Sequence, residues 1–509
     1  MDYLITSLGF LFGSILLHAL VTISRSFSKN KKSKKLPNPP GPTPLPIIGH
    51  LHLLGEHYHK SLADLAKTYG PIMTLKLGFL NYVAITSPAM AKQVLQKKDL
   101  EFSGKWVAKA LHAHDQYKYS VVMLPVEARW RSLRRSMNSA IFSGARLDVT
   151  EHVRENTIQE LLDYCKSYSL RNEAVDLSVA AFMTTLNSLT SAIFSKNVMD
   201  PNLESSIRDM RDVMWNIAIE AGAPNLADYF HFIKFDIQGV TRRLTNHFSR
   251  VLELIIDPID ERIQQRDSKG GIEKKNKYND ALDLLLSIID ENPQDLDRTH
   301  MERLFLDLFI AGSDTTSSTL EWAMAELMKN PETMKLAKEE LARVVGKGKP
   351  IKERDVDNLP YLQCVLKETL RLHPPVPTLI PRLLKERDVE LCGYTIPKGS
   401  KVIVNVWGIS HDPNVWKDPL AFKPERFQES DLEVRGLDFE LLPFGSGRRI
   451  CPGLPFARRL LPVAIGSMIN SFDWELEDGM KPEELDMEVK VGLTLKKAQA
   501  LRAVPKPMS

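Results

Sequence analysis

Apolar positions along this chain recur mostly at helical spacing, with strand-like runs confined to a few short stretches. The first run, Tyr3 to Ile23, has 21 residues and no charged side chain. As a helix it would reach about 31 Å, close to the ~30 Å hydrocarbon thickness of a bilayer. Thr6, Ser7, Ser14, His18 and Thr22 make it moderately polar. No A-x-A-like site follows it, and its charges lie on the C-terminal side, so an uncleaved signal anchor over residues 1–24 is predicted rather than a signal peptide. The basic residues after it favour the cytosol, which leaves the N-terminus lumenal. Residues 25–49 form a basic and then proline-rich hinge, in which Pro37, Pro39, Pro40, Pro42, Pro44 and Pro46 enforce a stiff, extended backbone with few N–H donors.

Residues 50–509 read as one large domain, because no second linker occurs. Ile72–Leu77 and Tyr82–Ile85 alternate as strands around a turn at Gly78–Asn81. From Pro88 to about residue 345 the period is helical, without internal repeats. The best-marked helix is predicted to start at Thr299, with Thr299 and Glu302 as a capping box, and to run to Pro331. Asn330 and Pro331 then read as the N-cap and first position of the next helix. Asp267 to Asp280 is polar and charged, as a surface loop would be. Residues 376–410 read as short strands separated by turns such as Pro397-Lys398-Gly399. The fold class is therefore mainly α with small β-sheets, a single large domain behind an N-terminal membrane anchor.

Charge and cysteine content exclude several functions. Six of the 67 Lys and Arg but one of the 64 Asp and Glu lie in residues 1–35, so the rest of the chain is net −2 and gives no support to nucleic-acid binding. The four cysteines, Cys165, Cys364, Cys392 and Cys451, are too scattered for a disulfide framework, and none forms a C-x-x-C pair or lies near a His pair, which argues against zinc. A reducing compartment follows.

Four patterns carry chemistry. FGSGRRICPG, Phe444 to Gly453, sets Cys451 in a glycine-rich loop that leads into a predicted helix, and such a loop brings a thiolate and backbone N–H groups close to a large flat ligand. A reactive thiol or a phosphate-binding turn would fit this loop equally well. AGSDTT, Ala311 to Thr316, lies inside the long helix. Gly312 costs roughly 1 kcal/mol there relative to Ala, and Ser and Thr bonding back to carbonyls is one account of the cluster. The other is a carboxylate and a hydroxyl, Asp314 and Thr315, relaying protons into a buried pocket, with a groove at Gly312 for a diatomic ligand. Glu368 and Arg371, three residues apart in KETLRLHPP, share a helical face as an ion pair. Trp130 and Arg134, at i and i+4, do the same, while Arg129, Arg131 and Arg135 point elsewhere.

The cysteine loop resembles the haem signature of the cytochrome P-450 family, F-x-x-G-x-R-x-C-x-G, with all five specified positions matched. AGSDTT resembles that family's oxygen-binding helix segment, Glu368 and Arg371 its E-x-x-R motif, Pro424-Glu425-Arg426-Phe427 the segment supplying a second arginine, and Trp130 and Arg134 its W-x-x-x-R motif. The order and spacing of these motifs across residues 130–453 extend the resemblance over essentially the whole chain. It implies a cytochrome P-450 fold and a monooxygenase using haem b (iron protoporphyrin IX). Cys451 would be the axial ligand of the iron, within a cofactor-binding loop that includes Phe444, Gly445 and Gly453. Trp130, Arg134, Arg449 and Arg382 would hold the propionates, and Asp314 and Thr315 would deliver protons to iron-bound oxygen. Glu368, Arg371 and Arg426 would form a buried structural cluster that keeps the cysteine loop in place. Electrons would come from NADPH through a separate flavoprotein reductase, since the chain holds no flavin or nicotinamide fingerprint. Cytochrome b5 is a further expected donor. Arg458, Arg459 and neighbouring arginines would offer the reductase a positive face.

Leu36–Gly49, Ala311–Leu327 and Gly492–Pro505 resemble plant endoplasmic-reticulum members, closest to the group of geraniol hydroxylases, iridoid oxidases and diterpene oxidases, with flavonoid and phenylpropanoid hydroxylases as the nearest rival. A lipophilic terpenoid substrate follows from that resemblance. Its pocket would be formed by the Ser103–Ser120 loop and by Phe305, Phe309, Ala311, Val376, Thr378, Leu379 and Leu493. A haem-thiolate isomerase or dehydratase, or a non-enzymatic haem protein, are the readings of another class. The intact Asp314–Thr315 pair argues against the former and the lack of a sensor domain against the latter.

Overall fold

The computed structural model describes residues 36–267 and 279–508. The expected membrane anchor, the basic stretch after it and most of the Asp267–Asp280 loop lie outside these residues. The proline-rich segment is described, and it is docked rather than free. The Pro40 carbonyl accepts from the Thr74 N–H at 2.7 Å, the Pro37 carbonyl from Thr395 at 2.8 Å, and Gly49 bridges to Leu77.

Helices dominate. The ones that build the centre are α1 (Tyr58–Tyr69), α2 (Ala128–Met137), α3 (Leu177–Phe194), α4 (Glu204–Gly222), α5 (Val240–Asp267), α6 (Arg298–Lys329), α7 (Pro331–Val344), α8 (Pro360–Leu372) and α9 (Leu454–Ser471). Helix α3 is apolar nearly all round and long enough to cross a membrane, but it is a core helix packed along α6. Such all-round apolarity is what full burial requires. The large core also takes in α5 and α9, so α6 runs through the middle of the domain.

Helix α6 differs from the prediction at its start. Asp297 is the N-cap, accepting from the His300 N–H at 2.9 Å, and Glu302 pairs with Arg298, so the Thr299 capping box does not form. Asp accepts an N3 donor as well as Thr does, and the two candidates lay two residues apart. Asn330 and Pro331 start α7 as expected, although the Asn330 side chain turns back to the last turn of α6, donating to the Glu326 carbonyl at 2.8 Å.

Among the described residues the strands form four small sheets. The largest orders β1 (Ile72–Leu77), β2 (Leu80–Ile85), β7 (Lys401–Val404) and β4 (Arg382–Leu383). The β1–β2 turn is Gly78-Phe79, tighter than the predicted four residues, because Leu80 still pairs with Leu77. β3 (Val175–Asp176), β11 (Arg502–Pro507) and β8 (Phe472–Leu476) form a second sheet, β5 (Val389–Leu391) and β6 (Tyr394–Ile396) a third, and β9 (Val489–Val491) with β10 (Leu495–Lys497) a fourth. The β9–β10 hairpin sits against α6, which brings Thr494 and Lys496 to that helix.

Candidate active site

Cys451 follows a short 3-10 turn, Gly447–Arg449, and precedes α9. Gly447 has φ +70°, and a Cβ there would lie 1.9 Å from the Leu95 carbonyl oxygen, so only glycine lets the loop pass this close to its neighbour. The Cys451 N–H donates to the Phe444 carbonyl at 3.0 Å, closing the loop. Burial pushes the Cys451 thiol up, while the N–H groups of Gly453 and Leu454 and the Arg134 guanidinium favour the thiolate. Each is a donor or cation aimed at sulfur.

Cys451 opens onto an apolar cavity under α6. Ala311, Thr315, Thr316 and Thr319 line one side, Pro375, Val376, Leu379 and Ile380 another, and Phe444 and Gly445 the floor. The rim is cationic. Lys105, Arg134, Arg382 and Arg449 all line this cavity, together with Trp130, and no carboxylate does. Arg449 donates to three carbonyls, those of Ser103 (2.9 Å), Val122 (3.2 Å) and Leu124 (2.6 Å), with its guanidinium 5.3 Å from the Trp130 ring. The Trp130 indole N–H donates to the Val121 carbonyl at 2.9 Å, and Arg134 to the Ile450 carbonyl at 2.7 Å. Arg129, Arg131 and Arg135 are exposed, as helical spacing predicted.

Burial lowers Arg382 to about 10, and it also lowers Arg449 to about 10 with Arg382 and Arg134 adding repulsion. The buried Arg382 Nε has no hydrogen-bond partner. Cations this crowded and buried call for an anionic occupant. A flat macrocycle carrying two carboxylates, with an iron that accepts the sulfur, fits this donor set. Lys105 was not identified from sequence, since one lysine in an irregular loop carries no periodic signal. Its Nζ donates to the Ile380 carbonyl at 2.8 Å.

The E-x-x-R pair forms as predicted. Arg371 grips both oxygens of Glu368 at 2.7 and 2.9 Å, Arg426 Nε reaches the same carboxylate at 2.9 Å, and Glu368 and Arg371 are wholly buried. Trp416 lies beneath both guanidiniums and joins Leu370, Phe427 and Leu441 in a small apolar cluster, against which Phe444 of the cysteine loop packs.

Several expectations need correction. Thr315 lines the cavity, but its neighbour Asp314 sits on another face, where its carboxylate accepts from the Thr494 hydroxyl. A side pocket there also holds Ser178, Arg211, Trp215, Glu321 and Lys496. Burial raises the Asp314 pKa, and Thr494 and Lys496 pull it back. Thr315 itself bonds to the Ala311 carbonyl at 2.7 Å, so back-bonding and a cavity-facing hydroxyl coexist. Helix α6 runs unbroken through Gly312, whose missing side chain faces Leu189 of α3 at 3.2 Å from a built Cβ. It serves close helix packing, not a groove.

Ala311, Val376 and Leu379 line the cavity as expected, but Phe305, Phe309, Thr378 and Leu493 do not. Phe305 and Phe309 stack edge-on against Phe194 in the core, Thr378 meets the Tyr58 hydroxyl at 3.2 Å, and Leu493 donates its N–H to the Ala218 carbonyl. Of the expected positive face, Arg459 pairs with Asp148 and Glu353, while Arg458, Arg129, Arg131 and Arg135 are exposed; Arg448 in the loop itself pairs with Asp99.

Comparison with known proteins agrees with this geometry. The family model for cytochrome P450 matches residues 39–502. The chain is 56% identical over 508 residues to geraniol 8-hydroxylase of Swertia mussotii, covering 100% of this chain and 99% of that one. It is 49% identical over 510 residues to geranylhydroquinone 3''-hydroxylase of Arnebia euchroma, covering 100% and 99%. A zebra fish cytochrome P450 structure with progesterone superposes with a TM-score of 0.74 at 25% identity, covering 88% of this chain and 99% of that one. The chain belongs to the cytochrome P450 family and is a monooxygenase of that family, which implies haem and a redox partner that supplies electrons.

Proposed function

We propose that this monooxygenase hydroxylates a terpenoid carrying a geranyl chain, using haem b held by Cys451 and electrons from NADPH through a flavoprotein reductase, with cytochrome b5 as an auxiliary donor. The observation that carries the site assignment is the convergence on one cavity of Cys451, a cationic rim and an apolar wall. The relatives named for geraniol and geranylhydroquinone support the substrate class. Bound haem supplies reductive activation of dioxygen and transfer of one oxygen atom to a C–H bond.

The chain's own residues do the rest. Gly453 and Leu454 N–H groups and Arg134 stabilise the Cys451 thiolate. Arg449, Arg382, Arg134 and Lys105 would neutralise the propionates, Arg through its planar fork, and Trp130 would pack beside them. Ala311, Val376, Leu379 and Ile380 exclude water and pack the apolar substrate. Thr315 would offer the proton of its cavity-facing hydroxyl, and Asp314 would resupply that proton once its side chain left Thr494.

Attachment to the endoplasmic reticulum membrane, with the catalytic body cytosolic, belongs to the same proposal. Residues 1–24 anchor the chain. Phe235 (81% exposed), Ile237 (71%) and Phe232 (65%) extend an apolar face that includes Phe79 and the docked Leu45–Ile48. Monomers seldom leave such a patch to water.

The test is incubation of microsomes containing this protein and a plant reductase with geraniol, a geranylated quinol and a flavanone. NADPH-dependent hydroxylation of the geranyl compounds is expected, together with a thiolate-type carbon monoxide band lost in Cys451→Ala. Flavanone turnover without geranyl turnover would overturn the substrate class, and an intact band in the variant would overturn the ligand.

A further inference from the structure

The chain between Gly104 and Leu124 crosses the top of the cavity. It is built from 3-10 turns with a break where His114 and Asp115 take left-handed φ of 49° and 54°. Such a segment has few internal hydrogen bonds and needs an external one to fix its register. That external bond comes from Asp307. On α6, Asp307, Ala311, Thr315 and Thr319 follow one another at spacings of four, so Asp307 continues the cavity-facing stripe one turn beyond it. Its carboxylate accepts from Gln116 Nε2 and Ser120 Oγ, both at 2.8 Å, and the N–H groups of Val121 and Val122 stabilise it further. Gln116 also donates to the Arg303 carbonyl at 3.2 Å, so two successive turns of α6 hold the strap.

Carbonyls of the same strap serve the cavity rim. Val121 offers its oxygen to the Trp130 indole, Val122 and Leu124 theirs to Arg449. One peptide, Val121–Val122, is thus held at both ends, its N–H by Asp307 and its C=O by Trp130, and Arg449 holds the Val122 and Leu124 carbonyls beside it. Asp307 is largely buried: burial raises its carboxyl to about 6, with the four donors pulling it back. An amide would serve this position badly, because all four partners are donors and half of an amide is a donor too.

We propose that Asp307 is a positioning residue, whose carboxylate holds the 116–124 strap in the register that aims Arg449 and Trp130 at the haem propionates, although Asp307 itself does not line the site. The inference rests on the haem reading above. If that reading fails, the wild-type protein shows no thiolate-type band; if this one fails, the band is present and Asp307 is indifferent.

The experiment compares Asp307→Asn holoprotein with wild type by amide hydrogen exchange and by haem transfer to apomyoglobin. Exchange should accelerate in the 116–124 peptide while that of α3 is unchanged. Haem loss should quicken about 10-fold or more, the scale of outer-sphere substitutions at metal sites. Adding Gln116→Glu reverses the polarity of one bond while giving up the bond to the Arg303 carbonyl, so both readouts should recover in part, which a general loss of packing would not allow. In a cycle with Arg449→Lys, the double variant should lose haem within about 3-fold of the Arg449→Lys rate, since coupled residues are not additive. Unchanged exchange in 116–124, multiplicative haem-loss rates, or no recovery on adding Gln116→Glu would each overturn the proposal. If Asp307→Asn holoprotein does not accumulate, Ser120→Ala, which removes one donor, is read by the same two measurements.

Discussion

Arg371 offers the sharpest test of what keeps the cysteine loop in place. It is wholly buried and makes five hydrogen bonds: two to Glu368 and one each to the carbonyls of Ser410 (2.7 Å), Pro419 (2.8 Å) and Ala421 (3.2 Å). Replacing it with Ala leaves the Glu368 carboxylate with the Arg426 Nε and the Lys423 N–H as its remaining donors. Breaking a buried pair by removing one partner costs about 3–5 kcal/mol. The three carbonyls stranded beside the new cavity add to this, against a domain stability of about 5–15 kcal/mol. Arg371→Ala should therefore yield little holoprotein.

Arg371→Lys keeps the charge but has three donors for five acceptors, and each lost charged bond costs about 1.5–3 kcal/mol. It should give folded protein with a clearly lower melting temperature. Glu368→Gln should be worse still, because it leaves Arg371 and the nearly buried Arg426 facing each other without an anion. Arg426→Lys should be mildest, since Arg426 also reaches exposed carbonyls at Lys417 and Asp418. The assay is the ratio of carbon monoxide-binding protein to total protein, with thermal unfolding of whatever accumulates. An order in which Arg426→Lys is the most damaging, or Arg371→Ala melting within a degree or two of wild type, would refute the burial argument.

Gly312→Ala should change stability by less than about 1 kcal/mol and leave turnover intact, because gained helix propensity offsets a 3.2 Å approach to a flexible Leu189 methyl; a large loss of oxygen binding would restore the groove. Thr494→Val removes the hydroxyl that holds the Asp314 pKa down, so the acidic limb of the turnover–pH profile should move to higher pH, and superimposable profiles would sink that role for Thr494. Lys401 is buried against the Trp106 and Tyr82 rings, and burial lowers it from 10.5 to about 6, with Asp228 opposing. The unfolded chain therefore binds a proton that the folded one releases between about pH 6 and 10, so stability rises with pH across that window. At pH 7 the penalty has a ceiling of about 5 kcal/mol at ~1.4 kcal/mol per pKa unit. Lys401→Met should raise stability by about 1–3 kcal/mol after loss of the Tyr82 hydroxyl contact and flatten the pH dependence; an unchanged slope in thermal midpoint against pH would refute it.

The parts of the fold legible in the sequence were those set by local chemistry. Glycines in the cysteine loop, Pro331 at the start of α7, and the i,i+3 and i,i+4 pairs at Glu368–Arg371 and Trp130–Arg134 each follow from constraints spanning a few residues, and each is found where spacing put it. Lys105 and Asp307 were not legible, since what makes them matter is the crossing of the 104–124 strap over α6, a tertiary event with no periodic signature.

Phe305, Phe309 and Asp314 show a different limit. All three lie on the helix that roofs the cavity, and a helix has a back as well as a front. Successive residues are about 100° apart, so the cavity meets one face of the helix, Ala311, Thr315, Thr316 and Thr319. Phe305 falls six residues before Ala311, about 9 Å along the axis, and meets Phe194 in the core. Asp314 precedes Thr315 and is turned about 100° from it, away from the side on which Thr316 extends the cavity face; it meets the β9–β10 hairpin instead. The two groups of the motif thus sit on different faces of one helix. Thr494, which the hairpin brings to the acid from 180 residues away, holds the carboxylate on that face, and Lys496 beside it favours the charged form.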